Sequence, residues 1–192
     1  MKKLAVLCLV LILMLSFAMA ACAQDDPLNY SFPEGTKMSF GSVRGTLPTY
    51  TAPSFSAYRM AGGKAAAGLH YQVITFYARM DEWALISYEN SQHVFHMGWA
   101  DTGALSYSVL KTLPAKDPLS SASLNAKLNG TTPIWDYYDI YQDPVTTLSE
   151  GTPLVYLCCR QDDISGLLAY VQVDTPLGLI RGFVPYNLMT FE

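Results

Sequence analysis

The sequence predicts an all-β protein built as two tandem small barrels behind an N-terminal export signal. Three observations carry that prediction. Short runs rich in aromatic and β-branched residues recur between turn residues, no stretch has a capped helical periodicity, and one order of motifs occurs twice. The clearest repeated motif closes the chain: Gly182-Phe183-Val184-Pro185-Tyr186-Asn187-Leu188 answers Gly98-Trp99-Ala100-Asp101-Thr102, with Gly182 84 residues after Gly98.

At the N-terminus, Lys2 and Lys3 precede Leu4–Phe17, which is apolar except for Ser16, and small residues follow at Ala18, Ala20 and Ala21. A basic start, a short apolar run and a small-residue cleavage site form the pattern of a secretory signal, expected over residues 1–23. Met19-Ala20-Ala21-Cys22 resembles a bacterial lipobox with Met19 in place of the usual leucine. Two outcomes stay open: lipidation of Cys22, or ordinary cleavage after Ala20 or Ala23. Lipid on Cys22 is the one membrane attachment the sequence suggests.

Removing the signal takes two of 12 basic residues and none of 16 acidic ones, moving the formal charge from −4 to −6. A negative surface without a basic run argues against nucleic acid as a partner. With 51% hydrophobic and 15% charged residues the composition is globular.

Residues 24–38, with Asp25, Asp26, two prolines and Gly35, read as a spacer. The first unit is expected over 39–106. Ser39–Thr46 is its opening strand, Leu47-Pro48-Thr49-Tyr50 leads into a long loop to Ala67, and Tyr71–Tyr77 is a strong strand. Asp81-Glu82 is a turn, Trp83–Tyr88 the next strand, and His93–Ala100 the return. Residues 107–122, with Pro114, Pro118, Lys111 and Lys116 among serines, read as a linker. The second unit, 123–192, repeats the order: Thr132-Pro133-Ile134-Trp135, a tyrosine-rich loop, Leu154–Cys159, a turn at Gln161-Asp162-Asp163, Leu168–Val173, and the closing motif. Corresponding positions are read 83 to 85 residues apart, and each unit is the size of a barrel that buries its core by curling one sheet.

This ordered series resembles bacterial SH3 domains, and Pro185-Tyr186-Asn187-Leu188 echoes the segment that closes eukaryotic ones. The resemblance covers Ser39 to Met189. It implies two tandem SH3-like barrels, and binding rather than catalysis: exported modules of this family bind cell-wall peptide or other peptides in an aromatic groove between the long first loop and the turn before the third strand. On that resemblance Trp83 is the groove tryptophan of the first unit, with Tyr50 and Tyr58 on or near the loop. In the second unit Trp135, Tyr137, Tyr138 and Tyr141 fall on the loop, while Leu168 replaces the tryptophan. That departure puts a conventional groove there in doubt.

Independently of the family, flat rings offer apolar area and a polar edge at little entropic cost, which suits an extended peptide. The alternative for these rings is packing between the two units. Trp99, Phe76, Tyr156 and Phe183 lie on strands and read as core.

Catalytic patterns are missing from the sequence. There is no Gly-x-Ser-x-Gly elbow, His-Glu-x-x-His or phosphate loop. Cys158 and Cys159 are adjacent on a strand, so they face opposite ways and read as small buried hydrophobes. His93 and His96 likewise face apart, which disfavours a zinc site, and His70 has no visible partner. No cofactor or metal is expected. The expected partners are cell-wall peptide or another envelope protein; the alternatives to a peptide-binding module are a scaffold in envelope assembly and, more remotely, a hydrolase.

Overall fold

In a computed structural model the described residues are 35–39, 48–60, 73–89, 94–104, 123–138, 143–163 and 165–192, with Lys111, Leu113, Ala115, Asp117 and Leu119 from the intervening segment. The expected signal, Cys22, Tyr141, His70 and His93 lie outside them. Among the described residues the secondary structure is all β, with two single 3-10 turns.

The first half supplies β1 (Thr36–Ser39), β2 (Thr49–Tyr50), β3 (Val73–Met80), β4 (Trp83–Glu89) and β5 (Phe95–Asp101), which ends in a 3-10 turn at Thr102–Ala104. The second supplies β6 (Leu124–Leu128), β7 (Thr132–Ile134), β8 (Thr146–Leu148), β9 (Pro153–Asp162), β10 (Gly166–Thr175) and β11 (Gly178–Pro185). A 3-10 turn at Tyr186–Leu188 then leads to β12 (Met189–Phe191). A strand thus forms over Thr36–Ser39, mostly inside the stretch read as spacer, while residues 40–46 of the expected opening strand lie outside the described residues. Thr36 sits opposite Phe76 on β3.

Two antiparallel five-stranded sheets result, ordered β1-β3-β4-β5-β2 and β11-β10-β9-β6-β12, with β7–β8 as a separate hairpin. The repeat is visible in the pairing. A short opening strand pairs with the first strand of a three-strand meander in each half. Tyr50 sits opposite Trp99, and Trp135 bridges to Phe183. Each meander also carries a bulge at the same place: the register steps from Phe76↔Ile86 to Ala78↔Leu85 in one, and from Tyr156↔Val171 to Cys158↔Tyr170 in the other. Bulges bend and twist a strand, so both sheets curve at matching points.

The register also corrects the even spacing. Ile86 corresponds to Val171, 85 residues on, but their partners Phe76 and Tyr156 are only 80 apart. The difference lies in the hairpins. Met80 and Trp83 enclose two residues, whereas the equivalent Arg160 and Leu168 enclose seven. Asp81 takes a left-handed φ of 51° in the shorter turn, a conformation aspartate tolerates better than most side chains.

Neither sheet closes into a barrel among the described residues. In β4, Trp83 through Tyr88 are all buried. Both faces of such a strand need cover. One large cluster joins Trp83, Leu85, Met97 and Trp99 of the first sheet to Leu157, Leu168, Tyr170 and Phe183 of the second. Polar contacts cross the same seam: the Tyr170 hydroxyl donates to Met97 O at 3.3 Å, and Tyr138 N donates to Phe95 O at 2.8 Å. A second cluster, including Tyr156, Val171, Ile180 and Val184, lies on the other side of the second sheet. The halves thus share a core.

The connection read as a linker takes part in it. Leu119 is buried in the shared cluster. Asp117 is buried too; its Oδ1 accepts from Leu119 N and its Oδ2 from the Arg181 guanidinium at 2.6 Å.

The closing glycines are explained by close approach. A Cβ on Gly182 would collide with the Trp135 carbonyl oxygen, and one on Gly98 would lie 2.9 Å from the Tyr50 carbonyl oxygen. In each half the glycine is where a neighbouring backbone crosses the last long strand.

Candidate functional site

Of the aromatic residues singled out in the sequence, the fold brings Tyr50 and Trp83 together and adds a third, Phe55. Trp83 begins β4, directly after the Asp81-Glu82 turn. That turn is fixed to the end of β5 by Thr102 N donating to Glu82 O at 2.7 Å. Tyr50 reaches the tryptophan from β2, with ring centroids 5.4 Å apart and edge-on. Phe55 tilts over the tryptophan at 4.7 Å and meets Tyr50 edge-on at 5.9 Å. These are favourable aromatic geometries.

The loop that presents Phe55 is well bonded. Thr51 N donates to Tyr58 O and Met60 N to Thr49 O, extending β2 into a ladder. At the tip Ala57 N donates to Ser54 O, and Ser56 N to Ser54 Oγ. Phe55 is 65% exposed even so, while Trp83 beneath it is 8% exposed. Met80, cross-strand partner of Trp83, is also exposed. An apolar ring held out to solvent over two other rings costs hydration free energy unless something covers it.

The other sequence-singled residues go elsewhere. Tyr58 lies on the opposite face of the loop ladder and packs against the core of the second half, where Thr51 Oγ1 also donates to Leu179 O at 3.0 Å. Burial pushes its phenol above the usual range. Trp135 is buried and exchanges both backbone hydrogen bonds with Phe183. Tyr138 is buried at the seam, its hydroxyl donating toward Arg160 O and Gly166 O. Half-buried Tyr137 donates to Asp143 O at 2.8 Å, with its ring 5.4 Å from His96. Tyr137 and Tyr138 join the two halves by running along β5, whereas Trp135 is buried against β11 of its own half.

The second half has a surface at the position equivalent to the first aromatic cluster. A pocket of about 280 Å³ is lined by Ser165, Leu167, Leu168, Pro185, Tyr186 and Asn187. Leu168 stands where Trp83 stands in the first half. Sequence reasoning missed both Phe55 and this pocket. For Phe55 a signal existed: it is a lone large aromatic in the otherwise small and polar Ala52-Pro53-Ser54-Phe55-Ser56-Ala57.

The groups considered for chemistry sit in dry surroundings. Cys158 belongs to the shared core and Cys159 to the second cluster, both as free thiols. Burial pushes the Cys158 thiol up, away from thiolate character. No group of metal-ligating side chains assembles among the described residues.

His96 is buried and stacks on Tyr88 at 5.0 Å. Burial lowers its pKa from 6.5 to about 4 and raises that of Tyr88 to about 12. Between those His96 values the unfolded chain binds more protons than the folded one. The stability that neutral His96 permits is therefore complete above pH 6.5, declines as pH falls, and loses nothing more below about pH 4. About 3 kcal/mol is at stake. Urea midpoints measured from pH 7 to pH 4 should fall accordingly, and His96→Phe should flatten that dependence.

No family model, curated protein or solved structure matches this chain.

Proposed function

We propose that this protein is an exported, non-catalytic binding module of two SH3-like units that captures an extended peptide, with cell-wall peptide as the leading ligand. The observation that carries the reading is Phe55, 65% exposed and held by a bonded loop over Tyr50 and Trp83. A surface of stacked rings is suited to an extended chain, because it offers area without much side-chain entropy to lose. The repeated strand order and the matching bulges support the two-unit description. The buried, high-pKa thiol of Cys158 speaks against a cysteine nucleophile. In this reading the pocket beside Leu168 is a second, shallower contact on the same ligand class.

The test is co-sedimentation of the purified exported protein with peptidoglycan. Phe55→Ala should reduce retention about tenfold, on the scale of a lost anchor residue, with only a small fall in the urea midpoint, of the size of the lost ring contacts with Trp83 and Tyr50. Absence of wild-type retention at moderate salt would sink the wall-peptide version.

A second reading has one observation in its favour. The shared core fixes the two units as one body, a geometry suited to a scaffold that docks another envelope protein. Capture of an envelope protein by the wild type, undiminished in Phe55→Ala, would favour it.

A further inference from the structure

We propose that Arg59 gives the aromatic surface a carboxylate-binding end, so that its ligand is an extended peptide with a free C-terminal carboxylate. This rests on the peptide-binding reading of the Tyr50–Phe55–Trp83 surface. Arg59 is the direct antiparallel partner of Tyr50 in the loop ladder. Directly opposed residues on such a ladder project to the same face, so Arg59 leaves the backbone on the side from which Tyr50 meets Phe55 and Trp83. Thr51 and Tyr58, one step along the ladder, go to the other face and the second unit.

Arg59 also differs from the other described arginines. The Arg79 Nε donates to Asp81 O. Arg160 lies 4.0 Å from Glu89 and over the Phe95 ring. Arg181 is paired with Asp117. Arg59 is half-buried, and its Nε is shielded from solvent with no acceptor among the described residues. Residues 51–60 contain no aspartate or glutamate to supply one.

Withdrawing a guanidinium N–H from water without an acceptor is costly. A ligand carboxylate supplies the charge partner that Arg59 lacks among the described residues, its two oxygens accepting from the terminal nitrogens of the planar guanidinium, which unlike Nε are not shielded. The rings then hold the apolar residues that precede the terminus. The acceptor is assigned to a peptide rather than a polyanion because the chain as a whole is negative, at −4, and disfavours an extended anionic partner.

The experiment passes two matched libraries of acetylated random pentapeptides over the immobilised exported protein, one ending in a free carboxylate and one in an amide. Retained peptides are quantified by mass spectrometry. The acid library should be retained about tenfold more than the amide library, the scale of a charge-assisted hydrogen-bond pair. Arg59→Gln should bring the two to equality, Arg59→Lys should keep part of the difference, and Phe55→Ala should lose both. Equal retention of acids and amides by the wild type would overturn the carboxylate assignment and leave the peptide reading standing. Retention of neither library would overturn both. The wild-type comparison holds even if an Arg59 variant folds poorly.

Discussion

Asp117→Ala is expected to destabilise the protein by about 3–5 kcal/mol, the scale for stranding one partner of a buried ion pair. Both side chains are 6% exposed, and their 2.6 Å contact is the shortest ion pair among the described residues. Arg181 is otherwise steadied by Gln172, whose Oε1 accepts from its Nε at 3.0 Å, and by the face of Trp99 at 5.8 Å. Neither contact neutralises the charge. Removing Asp117 takes away a carboxylate held 2.6 Å from a guanidinium that is itself withdrawn from water. The melting temperature should fall on the order of 10 °C. Replacing both partners by apolar residues, Asp117→Leu with Arg181→Met, should recover most of the loss, since such pairs contribute little net stability over well-packed hydrophobes. A double mutant as unstable as Asp117→Ala would show that packing of the connection, rather than charge, is what matters there.

The second large effect is expected at a glycine. In Gly182→Ala the new methyl meets the Trp135 carbonyl oxygen and the Ile134 side chain. The two backbones are tied by reciprocal hydrogen bonds, Trp135 N to Phe183 O at 3.0 Å and Phe183 N to Trp135 O at 2.6 Å, so neither strand can retreat without breaking one. A cost of about 3 kcal/mol follows, at the upper end of ordinary overpacking. Gly98→Ala should cost less. There the closest atom is the Met60 sulfur, the far end of a flexible side chain, although the Tyr50 carbonyl oxygen still lies 2.9 Å away. Urea denaturation at pH 7 checks both, with a lower midpoint for Gly182→Ala than for Gly98→Ala. Equal midpoints would mean that the close approach is not what fixes these glycines.

Those glycines also show how much of the fold the sequence exposes. Gly98 and Gly182 are recognisable as a repeated motif, and strands β3, β4, β9 and β10 follow from their aromatic and β-branched runs. What joins the halves is less legible. Trp83–Tyr88 reads as an alternating strand, yet it is apolar in both parities apart from Ser87, and the structure buries both of its faces. A period-two pattern cannot say whether the second face meets its own unit or a neighbour. Likewise Asp117 sits in a Pro- and Lys-containing stretch with linker composition, and what docks the stretch is its buried pairing with Arg181, 64 residues on, together with Leu119 in the shared core.

The candidate site was half legible. Trp83 and Tyr50 could be picked from their places in the repeated order. Trp135 and Tyr138 occupy the matching loop and are just as aromatic, but both are buried, Trp135 where the chain pairs with Phe183 of β11 and Tyr138 where it pairs with Phe95 of β5. Composition does not distinguish a ring that faces solvent from one that faces another sheet. Phe55 escaped notice because its neighbours Ser54 and Ser56 look like ordinary loop. Their hydrogen bonds are what hold the ring out.

In the proposed function a peptide covers the Phe55–Trp83 stack. Fluorine NMR of protein carrying 5-fluorotryptophan tests it most directly, since the three tryptophans, Trp83, Trp99 and Trp135, report from three places, of which Trp83 alone lies beneath Phe55. Added solubilised cell-wall peptide should move the Trp83 resonance in proportion to occupancy, and leave those of Trp99, 0% exposed, and Trp135, 7% exposed, in place. A Trp83 resonance that stays fixed while the peptide binds, or a shift confined to Trp135, would contradict it.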